Sequence, residues 1–467
     1  MAKLLRPAAL LFAAATATGS TLPPSAEVVL SIGEMRYRVQ ALTSALASVS
    51  LVRIEQEGPL GFEDRSTFSV VSRDWPGEAL ALRSSSGLAA TVETQNLAVS
   101  LQASSGGSVS VSLAVRGSAG PPLLPAVALG AVEPAVALPS PAELEAKRPA
   151  PAVFAFRDAP RFVPPAWGPT PPTAPVPEAL RNTSGFDLRN PALDAFFFIL
   201  STTGGGAAAH AELRAAMLRL TGGIPRLPEY AFGSWFTWNH NYSQGEKESE
   251  IRRFVDSKIP LDVASLDMDW RHVENDTIEQ TYAVNEKLFP DMRGFLNFTH
   301  SLNLHVFFND HPMQQAPQMS PKEIAYRDAG LRKILDLGMD FWWFDCHWHD
   351  TMDGIVDKRG ESVDYVAWGE YIFAETQKRY FAEKRRNDTP LLLGCSDSKH
   401  WANHRTPIWW TGDNYWNAFS QAIKDEIRYG LQLKPYVHPD CTGHHGPEGQ
   451  LGSYPTEVYL RWIQFCS

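Results

Sequence analysis

From about residue 25 to 140, apolar and polar positions alternate with a period of two. Leu97, Val99 and Leu101 point one way, Gly106 and Gly107 turn the chain, and Val109, Val111, Leu113 and Val115 return. This is the pattern of a β-hairpin inside an all-β module. The stretch Phe62 to Thr67 is too polar for a core strand and is expected to be a structural loop. Prolines crowd Pro149 to Pro177 around Trp167, which excludes a helix and predicts a semi-rigid connector. Leu213, Met217 and Leu220 then share one helical face, with Gly222 behind them as a stop.

From Tyr230 the pattern becomes strand, helix, strand. Apolar runs cover Ala231 to Phe236, Leu261 to Leu266, His305 to Phe308, Phe341 to Phe344, Leu391 to Leu393, Ile408 to Trp410 and Leu433 to Val437. Amphipathic stretches fall between them, among them Glu246 to Lys258 and Trp416 to Ile427. Such alternation implies a parallel sheet, and about seven units imply a (β/α)8 barrel rather than an open sheet. The fold class is therefore α/β, with an all-β module over 25–180 including its connector, a linker with a helix over 181–228, and a barrel over 229–467. Residues at the carboxyl ends of barrel strands face the active site. Here those ends read Asp267-Met268-Asp269-Trp270, Asn309-Asp310-His311, Asp345, Gly412-Asp413 and His438-Pro439-Asp440. A single aspartate after a strand is ordinarily a helix N-cap; a ring of polar residues on one mouth predicts a site.

Composition narrows the partner. A net charge of -10, with no basic stripe, argues against nucleic acid. Aromatic residues make up 11% of the chain, and the tryptophans cluster with carboxylates and histidines. That pairing suits sugars, whose apolar faces stack on indole while their hydroxyls need polar partners. Lys3 and Arg6 precede an apolar run from Ala8 to Ala15 and then small residues, so residues 1–20 read as a signal peptide. No other stretch suggests a membrane span. Acceptor sequons at Asn182, Asn241, Asn275, Asn297 and Asn387 fit a secreted or secretory-lumen glycoprotein. In an oxidising compartment Cys346, Cys395, Cys441 and Cys466 allow three pairings. The strand order favours Cys346 with Cys395 and Cys441 with Cys466.

No phosphate-binding or dinucleotide glycine turn is present, so no cofactor is expected. The histidines at 347, 349, 438, 444 and 445 fit no zinc spacing, and no metal is expected either. Carboxylates remain as candidate catalysts. A glycosidase needs two, one at the anomeric carbon and one kept protonated for the leaving oxygen. Asp345 and Asp413 are the best pair, since both follow aromatic runs, Trp342-Trp343-Phe344 and Trp409-Trp410.

The segments FEDRST (62–67), PAWGP around Trp167, LTGGIPRLPEYAFGSWFTWNHNYS (220–243), IPLDVASLDMDW (259–270), FWWFDCHW (341–348), HRTPIWWTGDN (404–414) and EVYLRWIQF (457–465) resemble, in order and spacing, glycoside hydrolase family 31. That family contains α-glucosidases, α-xylosidases and relatives. The resemblance implies a galactose mutarotase-like β-sandwich, a (β/α)8 barrel and a retaining mechanism on α-linked oligosaccharides or glycosides. It implies Asp345 as nucleophile and Asp413 as acid/base, with Asp267 and Asp269 holding hydroxyls of the reacting sugar. Trp235, Trp270, His311, Trp342, Trp410, His438 and Asp440 become expected pocket lining.

Three departures accompany it. Cys346-His347-Trp348 stands where the family usually has Met-Asn-Glu. The family's arginine before the acid/base falls at Asp397, with Lys399 or Arg405 as substitutes. The eighth strand and the C-terminal β-domains are expected to be missing. The alternative function is thus a non-catalytic carbohydrate-binding relative, or a fragment of a longer glycosidase.

Overall fold

The computed structural model describes residues 26–43, 49–58, 61–62, 64, 67, 69–73, 75–131, 135–136, 153–158, 193–200, 207–272, 282–311, 321–345, 365–384, 390–394, 408–410, 419–431, 433–439, 441 and 456–466. The period-two alternation of the N-terminal part is realised as two antiparallel sheets. One has strand order β1 (Glu27–Ile32), β2 (Met35–Thr43), β3 (Val49–Gln56), β11 (Asp194–Leu200), β10 (Val153–Arg157), β9 (Ala135–Val136). The other runs β4 (Ala81–Ser86), β5 (Ala89–Glu93), β6 (Leu97–Ala103), β7 (Val109–Val115), β8 (Leu124–Ala128). The β6/β7 hairpin pairs Leu97 with Val115 and Ala103 with Val109, as the alternation predicts. Its turn holds Gly107 at φ 80°, a left-handed conformation that glycine adopts without steric cost.

Val39, Val52, Ile54 and Phe197 from the first sheet meet Val92, Val99 and Val111 from the second in one core, which makes a sandwich. The opposite face of the six-stranded sheet is covered by α1 (Ala207–Thr221), whose Leu213, Met217 and Leu220 pack on Phe196, Phe198 and Leu200. Strand β11 is therefore buried on both sides, which explains its unbroken apolar reading after Asp194.

The polar loop at 62–67 has a structural task, as expected. Asp64 accepts hydrogen bonds from Arg38 at 2.9 Å and Arg53 at 2.6 Å, and Thr67 donates to both oxygens of Asp158. Arg53 also grips Asp194 through Nε at 2.8 Å, and Arg73 reaches the same carboxylate at 2.6 Å. These groups close a charge network between the sheet and its loops.

The C-terminal part is a seven-stranded sheet in sequence order: β12 (Trp235–Phe236), β13 (Val263–Leu266), β14 (His305–Asp310), β15 (Phe341–Phe344), β16 (Leu392–Gly394), β17 (Ile408–Trp410), β18 (Val437–His438). Every adjacent pair is parallel. The connections carry α2 (Gln244–Asp256), α3 (Met292–Ser301), α4 (Pro321–Leu335), α5 (Tyr365–Glu383) and α6 (Phe419–Leu431), and α7 (Thr456–Cys466) follows β18. A capping box between Ser243 and Glu246 starts α2.

Side chains divide by parity across this sheet. Val306, Phe308, Trp342 and Phe344 pack outward against Ile251, Phe295, Leu331 and Phe373 of the helices. Phe307, Phe341, Trp343 and Leu393 form a separate inner layer.

Two strands are shorter than the apolar runs suggest. Residues 229–232 form a 3-10 turn whose N-cap, Pro228, is fixed at φ -66°. Before β18, Leu433 takes φ 61° and Pro435 has no N–H for a ladder, so the strand begins only at Val437. Cys441 and Cys466 are bonded, with Cα atoms 6.2 Å apart, as the sequence reading favoured. Cys346 and Cys395 lie outside the described residues. No helix among those described is long and apolar enough to cross a membrane.

Candidate active site

The inner parity of β15, Phe341 then Trp343, continues to Asp345. The Asp345 N–H donates to the Asp310 carbonyl at 3.0 Å, so strand pairing persists beyond Phe344. On β14, Asn309 and His311 share the inner parity of Phe307. Asn309 donates its side-chain amide to Asp345 Oδ2 at 2.9 Å, and His311 Nε2 lies 2.9 Å from the same oxygen. The Asp345 side chain is 9% exposed, a largely buried carboxylate rather than one on open surface.

Asp310, of opposite parity, is turned away from the site. It pairs with Arg271 and accepts from Tyr282 OH at 2.8 Å. Arg327 donates to Tyr282 at 3.2 Å. Burial, with Asp310 alongside, pushes the Tyr282 phenol well above its ordinary value. Trp270 Nε1 donates to the Asn309 carbonyl at 2.7 Å, and Arg271 donates to the His311 carbonyl at 3.3 Å. The backbone of 309–311 is thus clamped from outside while Asn309 and His311 are presented inside.

Asp267 ends β13 and caps the turn Met268–Trp270, accepting from Met268 N–H at 2.7 Å. Burial pushes its carboxyl up to about 6; His311 and the Met268 N–H oppose that rise, and the Asp345 and Asp269 charges add to it. Asp267 thus lies within electrostatic reach of His311 and Asp345. Burial raises Asp269 as well, against the opposing field of His240.

Three expected lining residues belong elsewhere. Trp342 is fully buried on the outer parity, edge-on to Tyr282 and Phe373, so it packs the helix layer. Trp270 is also fully buried and holds Asn309 through its N–H, a support beneath the site rather than a wall of it. Trp235 sits on the inner layer at the opposite end of the strands, with its ring 5.6 Å from that of Phe341. Phe341 is four residues before Asp345, roughly 13 Å along the strand.

Asp413, Arg405 and Asp440 lie outside the described residues. For Trp410 and His438 only the backbone pairing between β17 and β18 is described. Sequence reasoning missed Asn309, although its parity with Phe307 was readable. It also gave no sign that Lys247, in α2, is wholly buried.

The family model described as "Glycosyl hydrolases family 31 TIM-barrel domain" matches residues 224–329 and 318–467. An α-xylosidase of Saccharolobus solfataricus is 22% identical over 281 residues, covering 53% of this chain and 38% of that protein. Among solved structures, the family 31 dextranase of Flavobacterium johnsoniae complexed with glucose aligns with a TM-score of 0.56 and 14% identity, over 96% of this chain and 64% of that one. A family 31 α-xylosidase from a soil metagenome, complexed with xylose, gives 0.55 and 12%, over 96% and 75%. The chain therefore spans well under two thirds of the curated relative's length and slightly under two thirds of the dextranase. At these identities the structural likeness carries the fold alone, whereas the domain match accounts for more than half of the sequence: this chain belongs to glycoside hydrolase family 31.

Proposed function

We propose that the chain carries the catalytic barrel of a retaining α-glycosidase. The observation that supports this most directly is the Asp345 carboxylate, inward at a strand end, with one oxygen held by Asn309 and His311. A carboxylate held in this way presents a fixed oxygen to an anomeric carbon, and fixed geometry is the larger part of such a step.

In the reading proposed, Asp345 attacks the anomeric carbon while Asp413 protonates the departing glycosidic oxygen. The product of that step is a glycosyl ester on Asp345. Asp413, now a carboxylate, then takes a proton from a water molecule as that water attacks the same carbon and the ester bond to Asp345 breaks, freeing its carboxylate. Two inversions return the original configuration. Asp267 and Asp269 accept hydroxyls of the reacting sugar, and His311 supports the charge on Asp345. The names of the relatives favour α-linked glucose or xylose as substrate.

The secretory reading is proposed alongside. The N-terminal pattern and sequons support it, as does the Cys441–Cys466 bond, since such bonds persist in oxidising compartments.

The test is incubation with 5-fluoro-α-D-glucosyl fluoride and its xylosyl counterpart, followed by peptide mass spectrometry. A glycosyl adduct on the peptide carrying Asp345 is expected. Turnover of an aryl α-glycoside that survives Asp345→Ala unchanged would rule the reading out. Sugar binding with neither turnover nor adduct would favour a binding protein on the same scaffold.

A further inference from the structure

Asn309 is 1% exposed, and the two ends of its side-chain amide are in different situations. Nδ2 donates to Asp345 Oδ2 at 2.9 Å. An ionised carboxylate only accepts, so the nitrogen has to be the atom facing it, and this fixes which way the amide points. Oδ1, at the other end, is buried and accepts from no donor among the described residues. The residue is held in place, because its backbone carbonyl accepts from Trp270 Nε1 at 2.7 Å. A buried carbonyl oxygen without a donor has lost its water and gained nothing. If holding Asp345 were the whole task of this side chain, its second end would be a liability.

The surroundings of the amide narrow what could satisfy it. Strands β13 and β14 pair Ser265 with Phe307 and Leu266 with Phe308, and Asp267 continues in an extended conformation. Asp267 therefore comes beside Asn309 on the inner face. On the other side, β15 pairs Trp343 with Asn309 and brings Asp345 up to Nδ2. The amide thus lies between two carboxylates, and what this row lacks is donors. A sugar is a ring of hydroxyl donors. Whatever reaches the Asp345 carboxylate arrives beside the amide bonded to it. With the anomeric carbon against Asp345, the nearest hydroxyl of an aldopyranose is the one on the adjacent carbon, the 2-hydroxyl.

We propose that Asn309 Oδ1 accepts a hydrogen bond from the 2-hydroxyl of the reacting sugar, so that one amide joins the attacking carboxylate to the hydroxyl next to the carbon it attacks. The inference rests on the reading of Asp345 as nucleophile and adds a requirement on the substrate, a donor at the 2-position. Glucose and xylose both carry this hydroxyl. A bond to it strengthens as the sugar approaches its oxocarbenium-like transition state, so the contact acts on kcat as well as on KM.

The experiment uses the full chain and whichever of 4-nitrophenyl α-glucoside and α-xyloside it cleaves, together with the 2-deoxy and 3-deoxy analogues of that substrate. Values of kcat/KM are compared between the parent and Asn309→Leu. Loss of the donor to Asp345 slows every substrate, and the inductive effect of each hydroxyl is the same in both proteins, so both cancel in the ratio of substrate to analogue. The 2-deoxy ratio is expected to fall by about 10-fold or more in Asn309→Leu, the effect of a buried acceptor that no longer meets its donor. The 3-deoxy ratio is expected to stay within about twofold. Should Asn309→Leu fail to fold, Asn309→Ala replaces it.

A 2-deoxy ratio that the variant leaves in place, or a 3-deoxy ratio that falls as far, overturns the inference; turnover by the parent with an adduct on Asp345 then leaves the nucleophile reading standing. If the parent gives neither turnover nor adduct, that reading falls, and calorimetry with glucose and 2-deoxyglucose makes the same comparison. A preference for glucose that disappears in Asn309→Leu upholds the contact. Equal affinities in the parent, or a preference the variant keeps, overturn it.

Discussion

His311 Nε2 stands 2.9 Å from Asp345 Oδ2, and the two residues come from the ends of neighbouring parallel strands. One imidazole thereby fixes the orientation of the carboxylate proposed to react. Asp345→Ala should lower kcat/KM for an aryl α-glycoside by about 10³-fold or more, with circular dichroism unchanged. His311→Ala and Asn309→Ala keep the carboxylate but free its orientation. Each should cost about 10- to 100-fold in kcat with a smaller change in KM. Equal falls in all three variants would mean that the donors are as indispensable as the carboxylate.

The clamp beneath the site can be tested without touching it. Gly330 in α4 has no side chain, and a Cβ there would collide with the Tyr282 ring. Because Tyr282 donates to Asp310, Gly330→Ala should displace the support of 309–311. A loss of about 1–3 kcal/mol in stability is expected from the overpacking, together with a fall in kcat. Urea unfolding and single-turnover kinetics on the same preparation check both.

In the sandwich, Asp194 is wholly buried and holds both Arg53 and Arg73. Asp194→Ala would leave two buried guanidiniums short of an acceptor. A cost of about 3–5 kcal/mol follows, read as a lower urea midpoint for this unit. The change should appear in unfolding and not in the pH profile of sugar cleavage.

Asp340 gives a stability effect with a defined pH window. Burial alone would raise its carboxyl, but hydrogen bonds with His300 and His305 and from the Val306 N–H outweigh this and hold it at about 2. A folded value below the unfolded one means that the stabilisation is complete above about pH 4 and is lost as pH falls toward 2. Asp340→Asn should therefore be less stable than the parent at pH 7, with the difference shrinking between pH 4 and 2. Thermal melts across that range measure it.

Much of the architecture was legible because periodicity is a property of adjacent residues. Leu97 to Val115 gave the hairpin register, and the runs ending at Leu266, Phe344 and Trp410 gave the parallel strands. Asp267, His311 and Asp345 were recoverable as strand ends. What failed was the assignment of tryptophans, since a strand end indicates height in the sheet but not which face a residue occupies. Trp342 is one residue out of phase with Asp345 and so faces the helices; Trp235 has the inner phase but the wrong end. Lys247 was hidden for a different reason: its burial depends on Phe236 and Tyr242 folding over it, and a lysine in an amphipathic helix reads as solvated.

Strand β14 ends in Asn309, Asp310 and His311, two donors flanking a carboxylate. A parallel strand that paired one residue out of step would turn Asp310 toward Asp345 and send Asn309 and His311 into the apolar helix layer, while Phe308 lost its place there. Two like charges would then meet where an acid now finds its donors. The alternation of these three residues thus ties the register of the sheet to the site, since only in this phase do both donors meet Asp345 while Asp310 meets Arg271.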